Sequence, residues 1–139
     1  MPGVTAANGG AALLGAPLMN DWCTISLSDL MTPWEVIERR LRAAAETGLC
    51  IALYNPASHG RADHLRRACD VLLETLPGST ACGIARKVGR EGQSSEVLSL
   101  SELKEARVDM LTCVFVGNTH TRVIDGHLVT PRGYRLGEA

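Results

Sequence analysis

The sequence predicts an α/β fold, a sheet of short apolar strands interleaved with amphipathic helices and ending in a β-hairpin. Three observations carry this. Residues 49–54 and 111–116 are nearly unbroken apolar runs bounded by turn residues, as internal strands covered on both faces are. Residues 34–46 and 61–76 repeat apolar side chains every three or four positions, the period of a helix with one buried face. Asp125-Gly126 sits between two short β-type runs, a strong hairpin signal.

Taken in order, Thr5 caps a small-residue helix running from Ala6 to Leu14, and Gly15 and Pro17 end it. Glycine costs about 1 kcal/mol relative to alanine inside a helix, so this segment is weak alone. Its small side chains suit close approach, either by a flat ligand or by the sheet. Residues 21–27 alternate Trp22, Thr24 and Ser26 with Cys23, Ile25 and Leu27, a strand with two unlike faces. Thr32, Pro33 and Glu35 read as a capping box opening the next helix. Trp34, Ile37, Leu41 and Ala44 form its buried face, and Gly48 stops it. After the strand at 49–54, Asn55 precedes Pro56, which favours an extended backbone at Asn55. The helix at 61–76 buries Leu65, Ala68, Cys69, Leu72 and Leu76. A strand at 80–88 ends in Arg86 and Lys87; a loop at 89–93, a short strand at 95–100 and a short helix at 101–106 follow. The strand at 111–116 precedes Gly117 and Asn118, then the hairpin at 122–130 and Pro131 to Tyr134.

A chain of 139 residues is long enough for one domain with its own core. The formal net charge of −1 gives no drive for non-specific nucleic-acid binding. No apolar run reaches the roughly 20 residues that span a bilayer, and no basic-then-apolar leader opens the sequence. Five cysteines at wide spacing read as reduced core residues of a cytoplasmic protein. Neither they nor the four histidines show metal-ligand spacing, so no protein-bound metal is expected, and the histidines read as surface or loop residues.

Three strands end in small or polar residues, at Tyr54-Asn55, Lys87-Val88-Gly89 and Gly117-Asn118. As parallel neighbours they would line one crevice, the usual ligand edge of an open α/β sheet, although the same turns also suit plain tight connections. Arg61, Arg86, Lys87, Arg90 and Arg122 lie near those ends, either to receive carboxylates or as a solvated rim.

PGVTAANGGAALLGAPL, SLSDLMTPWEVIERRLRAAAE, IALYNPAS and VGNTHTRVIDGHLVTPRGY together resemble the tetrapyrrole methylases, specifically the C17-methylating members of cobalamin biosynthesis. The resemblance covers essentially the whole chain. It implies the family's C-terminal α/β domain, a mixed sheet flanked by helices with a C-terminal β-hairpin, in residues 20–139, and the linker helix from the domain junction in 1–19. The family's amino-terminal domain carries a GxGPGD-type loop and a later GDP-type segment. Neither occurs here, so the chain reads as a fragment lacking that domain. The implied activity is transfer of a methyl group from S-adenosyl-L-methionine to C17 of precorrin-3B with ring contraction, by a homodimer that needs the missing half. The alternative is a non-catalytic donor-binding, tetrapyrrole-binding or dimerisation module. Donor contacts carried over by the resemblance are Thr5, Ala6, Tyr54, Asn55, Val88 and Gly117. Arg86, Lys87 and Arg90 are expected to meet the carboxylates of the tetrapyrrole substrate. No residue stands out as a general acid or base.

Overall fold

The computed structural model describes residues 1–57 and 60–133. It contains α1 (Ala6–Leu14), β1 (Gly15–Ala16), β2 (Trp22–Ser26), α2 (Trp34–Glu46), β3 (Cys50–Tyr54) and α3 (His64–Leu73). There follow β4 (Ala81–Arg86), β5 (Ser94–Ser99), α4 (Leu100–Glu105), β6 (Thr112–Val116), β7 (Arg122–Ile124) and β8 (His127–Val129).

The main sheet is mixed, with order β2-β3-β6-β4-β5. Strands β2 and β3 are parallel; β6 runs antiparallel to both β3 and β4, and β5 antiparallel to β4. Strands β2, β3 and β4 therefore end on one edge of the sheet, and β6 begins there. Alternation of side chains along each strand divides the core into two. Ile51, Leu53, Cys82, Ile84, Val114 and Val116 pack against α2, α3 and α4. Ala52, Ala85, Cys113 and Phe115 meet α1 and Leu128 on the other face.

The small residues of α1 serve this second interface. A Cβ at Gly10 would lie 2.8 Å from Phe115 Cζ and 3.1 Å from Ala85 Cβ. A Cβ at Gly83 on β4 would lie 2.7 Å from Leu14 Cδ1. Close helix–sheet packing is thus one purpose of the glycines in α1. A second sheet, β1-β8-β7, ties the exit of α1 to the hairpin, with β1 parallel to β8. Thr130 Oγ1 donates to the Pro17 carbonyl at 2.7 Å. The hairpin turn has φ of 49° at Asp125 and 77° at Gly126, the positive pair a two-residue type I′ turn requires.

Several local expectations are corrected. Thr32 is not a cap: α2 starts at Trp34, Pro33 is its N-cap, and no side chain caps it. Pro33 is extended, with ψ of 142°, and Trp34 after it is buried, donates from Nε1 to Glu38 Oε1 at 2.8 Å and packs against His64. The capping box lies instead at Ser99 and Glu102 on α4. His64 is not a surface residue. It is 4% exposed, its ring centroid 5.0 Å from that of Trp34, and Nε2 lies 3.5 Å from Asp29 Oδ2. His59 lies outside the described residues, as does Tyr134. All five cysteines are free thiols, four of them buried and Cys23 half-buried. Among the described residues no helix is long and apolar enough to cross a membrane.

Candidate functional site

The shared edge of β2, β3 and β4 opens into a cavity of about 480 Å³. Its walls come from the start of α1 (Val4, Thr5, Ala6, Gly9), the end of β3 (Tyr54, Asn55) and the end of β4 with its following loop (Ala85, Lys87, Val88, Arg90). The approach and start of β6 (Met110, Leu111, Thr112, Cys113) complete them. Seven residues singled out from the sequence come together here: Thr5, Ala6, Tyr54, Asn55, Lys87, Val88 and Arg90.

Local hydrogen bonds set the geometry. Thr5 Oγ1 accepts from the Asn8 N–H at 3.3 Å, and Tyr54 Oη accepts from the Ala7 N–H at 2.7 Å. Two first-turn donors of α1, which have no partner within a helix, are satisfied this way. The bond to Tyr54 joins α1 to the end of β3. Asn55 is not extended, contrary to the preference of a residue before proline. Its φ is 52°, and its Nδ2 donates to Ser26 Oγ at 2.9 Å. Lys87 also has a positive φ, 50°.

Two predicted site residues lie elsewhere. Because β6 is antiparallel to its neighbours, its carboxyl end is on the opposite edge of the sheet. Gly117 there donates its N–H to the Ala81 carbonyl at 3.0 Å, and the Thr121 side chain fills the space a Cβ would need. The parallel arrangement of the three strand ends is therefore corrected, and the start of β6 replaces its end in the cavity wall. Arg86 is removed by the alternation of β4. It shares a face with Cys82 and Ile84, pairs with Glu96 at 3.1 Å and donates to the Arg107 carbonyl. Ala85, the preceding residue, faces the cavity. Arg61 is paired with Asp29 at 3.0 Å, and Arg122 is on β7 in the second sheet.

Sequence reasoning missed Val4, Gly9, Ala85 and the stretch from Met110 to Cys113. The last could be found only from the direction of β6, which no local pattern reports. Burial pushes the Cys113 thiol up to about 12, so it stays protonated near neutrality and is no nucleophile. Among the described residues, no three His, Cys, Asp or Glu side chains gather as a metal ion would require.

A family model described as Tetrapyrrole (Corrin/Porphyrin) Methylases matches residues 1–104. The chain belongs to the tetrapyrrole methylases. It is 48% identical over 136 residues to a probable cobalt-factor III C(17)-methyltransferase of Salmonella typhimurium, covering 98% of this chain and 56% of that protein. It is 48% identical over 138 residues to a precorrin-3B C(17)-methyltransferase of a Sinorhizobium species, covering 96% of this chain and 54% of that one. The crystal structure of the methyltransferase CobJ superposes with a TM-score of 0.85 at 38% identity, over 94% of this chain and 54% of that one. A cobalt precorrin-4 methyltransferase, at 19% identity and a TM-score of 0.64, shares the fold. The chain spans about half the length of these tetrapyrrole methylases. The expected mixed sheet flanked by helices, with its hairpin, is the fold observed.

Proposed function

We propose that this chain forms one wall of an S-adenosyl-L-methionine-dependent methyltransferase acting on C17 of precorrin-3B, or its cobalt-containing counterpart, with ring contraction, in cobalamin biosynthesis. The observation that carries the reading is the convergence of Thr5, Ala6, Tyr54, Asn55 and Val88 on one cavity. The family resemblance assigns the same positions to the donor. The names of the relatives support the reaction class and the substrate.

The cavity fits the donor by size and chemistry. Its volume falls within the about 300–1,000 Å³ of small-molecule sites. Val4, Val88, Met110 and Leu111 offer apolar surface to a flat base, and Thr5 and Asn55 offer hydrogen-bonding groups to a sugar. The donor supplies a methyl group already activated on a sulfonium. For the methyl transfer itself the protein's share is then alignment and exclusion of water, with little need of acid–base help. Tyr54 fixes α1 against β3 and so sets the width of the cavity. Cys113 stays a neutral thiol and does not compete for the methyl group. Lys87 and Arg90, exposed on the rim, are the cations we assign to the substrate's carboxylates; Arg86 is not among them.

The second wall is supplied, in this reading, by the amino-terminal domain of the family, with residues 1–19 as the linker and 20–139 as the second domain. The match to about half of each relative supports that division. A cytoplasmic homodimer is the proposed assembly; Val123 and Ile124, exposed on β7, give it apolar surface.

Calorimetric titration with S-adenosylhomocysteine tests the reading, first with this chain alone and then with it mixed with the amino-terminal half of the Salmonella relative. Binding in either case is expected. Absence of binding in both refutes it.

A further inference from the structure

We propose that Ser26 is a positioning residue for the donor cavity, its hydroxyl holding Asn55 in the left-handed conformation in which the end of β3 lines that cavity. Asn55 stands against two steric preferences. Its φ of 52° is rare for a residue with a side chain, although asparagine visits that region more than most. Pro56 follows it and disfavours anything but an extended backbone. Something must oppose relaxation, and strain of this kind collects at functional sites.

The backbone holds only the peptide that enters Asn55, through the Leu27 N–H donating to the Tyr54 carbonyl at 2.9 Å. Pairing of β2 with β3 ends at Ser26 and Tyr54, and pairing of β3 with β6 ends at Leu53 and Val114, so Asn55 lies beyond both ladders. Pro56 has no N–H to close a turn. At the end of β4 the arrangement differs. Lys87, with φ of 50°, donates its N–H to the Leu111 carbonyl at 2.8 Å and accepts from the Arg90 N–H at 2.9 Å. Lys87 is held by its own backbone groups, whereas among the described residues Asn55 itself is held by the side-chain bond to Ser26 Oγ at 2.9 Å. Ser26 Oγ also accepts from the Ser28 N–H at 3.2 Å. One hydroxyl thus couples the turns that follow β2 and β3. Its importance for ligand binding rests on the proposed donor reading; its hold on the backbone does not.

The test uses the full chain and two readouts. A residue with positive φ gives a strong intraresidue amide–Hα nuclear Overhauser effect. Asn55 should show it in the unaltered chain and in Ser26→Thr, and lose it in Ser26→Ala. Titration with S-adenosylhomocysteine, with the relative's amino-terminal half present where binding needs it, should weaken about fivefold in Ser26→Ala, the worth of one hydrogen bond, and recover in Ser26→Thr. In an Asn55→Gly background, where glycine adopts the conformation unaided, Ser26→Ala should change the affinity no further. Persistence of the Overhauser effect in Ser26→Ala overturns the inference. So does its loss with unchanged affinity, or an equal affinity loss in the glycine background. If the unaltered chain binds no S-adenosylhomocysteine, the donor reading fails, and the Overhauser effect still decides whether Ser26 holds Asn55.

Discussion

Replacing Gly10 with alanine sets helix propensity directly against packing. In an exposed helix interior alanine is better than glycine by about 1 kcal/mol. At Gly10 the new methyl would lie 2.8 and 2.9 Å from two ring carbons of Phe115 and 3.1 Å from Ala85 Cβ. Carbon atoms pack at about 3.5–4.0 Å, so α1 must lift from the sheet by roughly 1 Å or the ring must turn. Phe115 and Ala85 are buried on adjacent strands, which leaves the ring little room to yield. Overpacking of this kind costs about 1–3 kcal/mol. The net expectation is a loss of about 1 kcal/mol, read as a lower urea midpoint at unchanged slope. Gly9→Ala is the control. Its methyl meets only Val88 Cγ1, at 3.2 Å, on a half-buried side chain, so the same propensity gain should leave stability near that of the parent. In a Phe115→Leu background, Gly10→Ala should lose most of its cost, giving a coupling of about 1 kcal/mol. A Gly10→Ala protein more stable than the parent, or a Gly9→Ala protein as destabilised as Gly10→Ala, would refute the reasoning that close approach governs α1.

Other outcomes follow from the same structure. Tyr54→Phe removes the acceptor of the Ala7 N–H and should cost about 1 kcal/mol in urea unfolding, with weaker binding of S-adenosylhomocysteine. Substituting Lys87 and Arg90 together by alanine should weaken tetrapyrrole binding in the reconstituted enzyme and spare donor affinity, whereas Arg86→Ala should change neither; an Arg86 effect equal to theirs would show the face assignment to be wrong. The hydrogen bond from Arg42 lowers the Glu74 carboxyl, and the Ser99 backbone N–H lowers that of Glu102. A depressed folded value means stabilisation that is complete above the ordinary carboxyl range and lost as pH falls through the folded value. Melting temperature should therefore fall below about pH 4.5, and less steeply in Glu102→Gln, which keeps the cap without titrating. With iodoacetamide at pH 8, Cys23 should react first, while Cys69, Cys82 and Cys113, each pushed up to about 12 by burial, should wait for unfolding.

Most elements were legible because their signals are local. The stripe of Leu65, Ala68, Cys69 and Leu72 repeats within one helix, and all four are buried. Thr5 as a cap and Asp125-Gly126 as a hairpin turn depend on neighbours a few residues away, and both occur as read. Thr32 is not a cap because Pro33, with ψ of 142°, is extended rather than helical, so α2 begins only at Trp34. His64, expected at the surface from its residue type, lies one turn before Ala68 on the buried face of α3.

Residue order alone specified the apolar runs, the helix faces and the residues at each strand end, since these rest on side-chain period and backbone preference over a few positions. Strand direction and the partners of each edge belong to the assembled sheet. The antiparallel run of β6 carried Gly117 away from the cavity and brought Met110 to Cys113 into it. The side-to-side alternation of β4 turned Arg86 from the cavity and left Ala85 facing it. The hydroxyl of Ser26, 29 residues from Asn55 in the chain, reversed the local preference of a residue before proline. For strand direction and for Asn55 the physical reason is a contact between distant segments, which outweighs a local preference worth about 1 kcal/mol or less and which only the folded chain makes. For Arg86 it is which face of β4 meets the cavity, which only the assembled sheet sets.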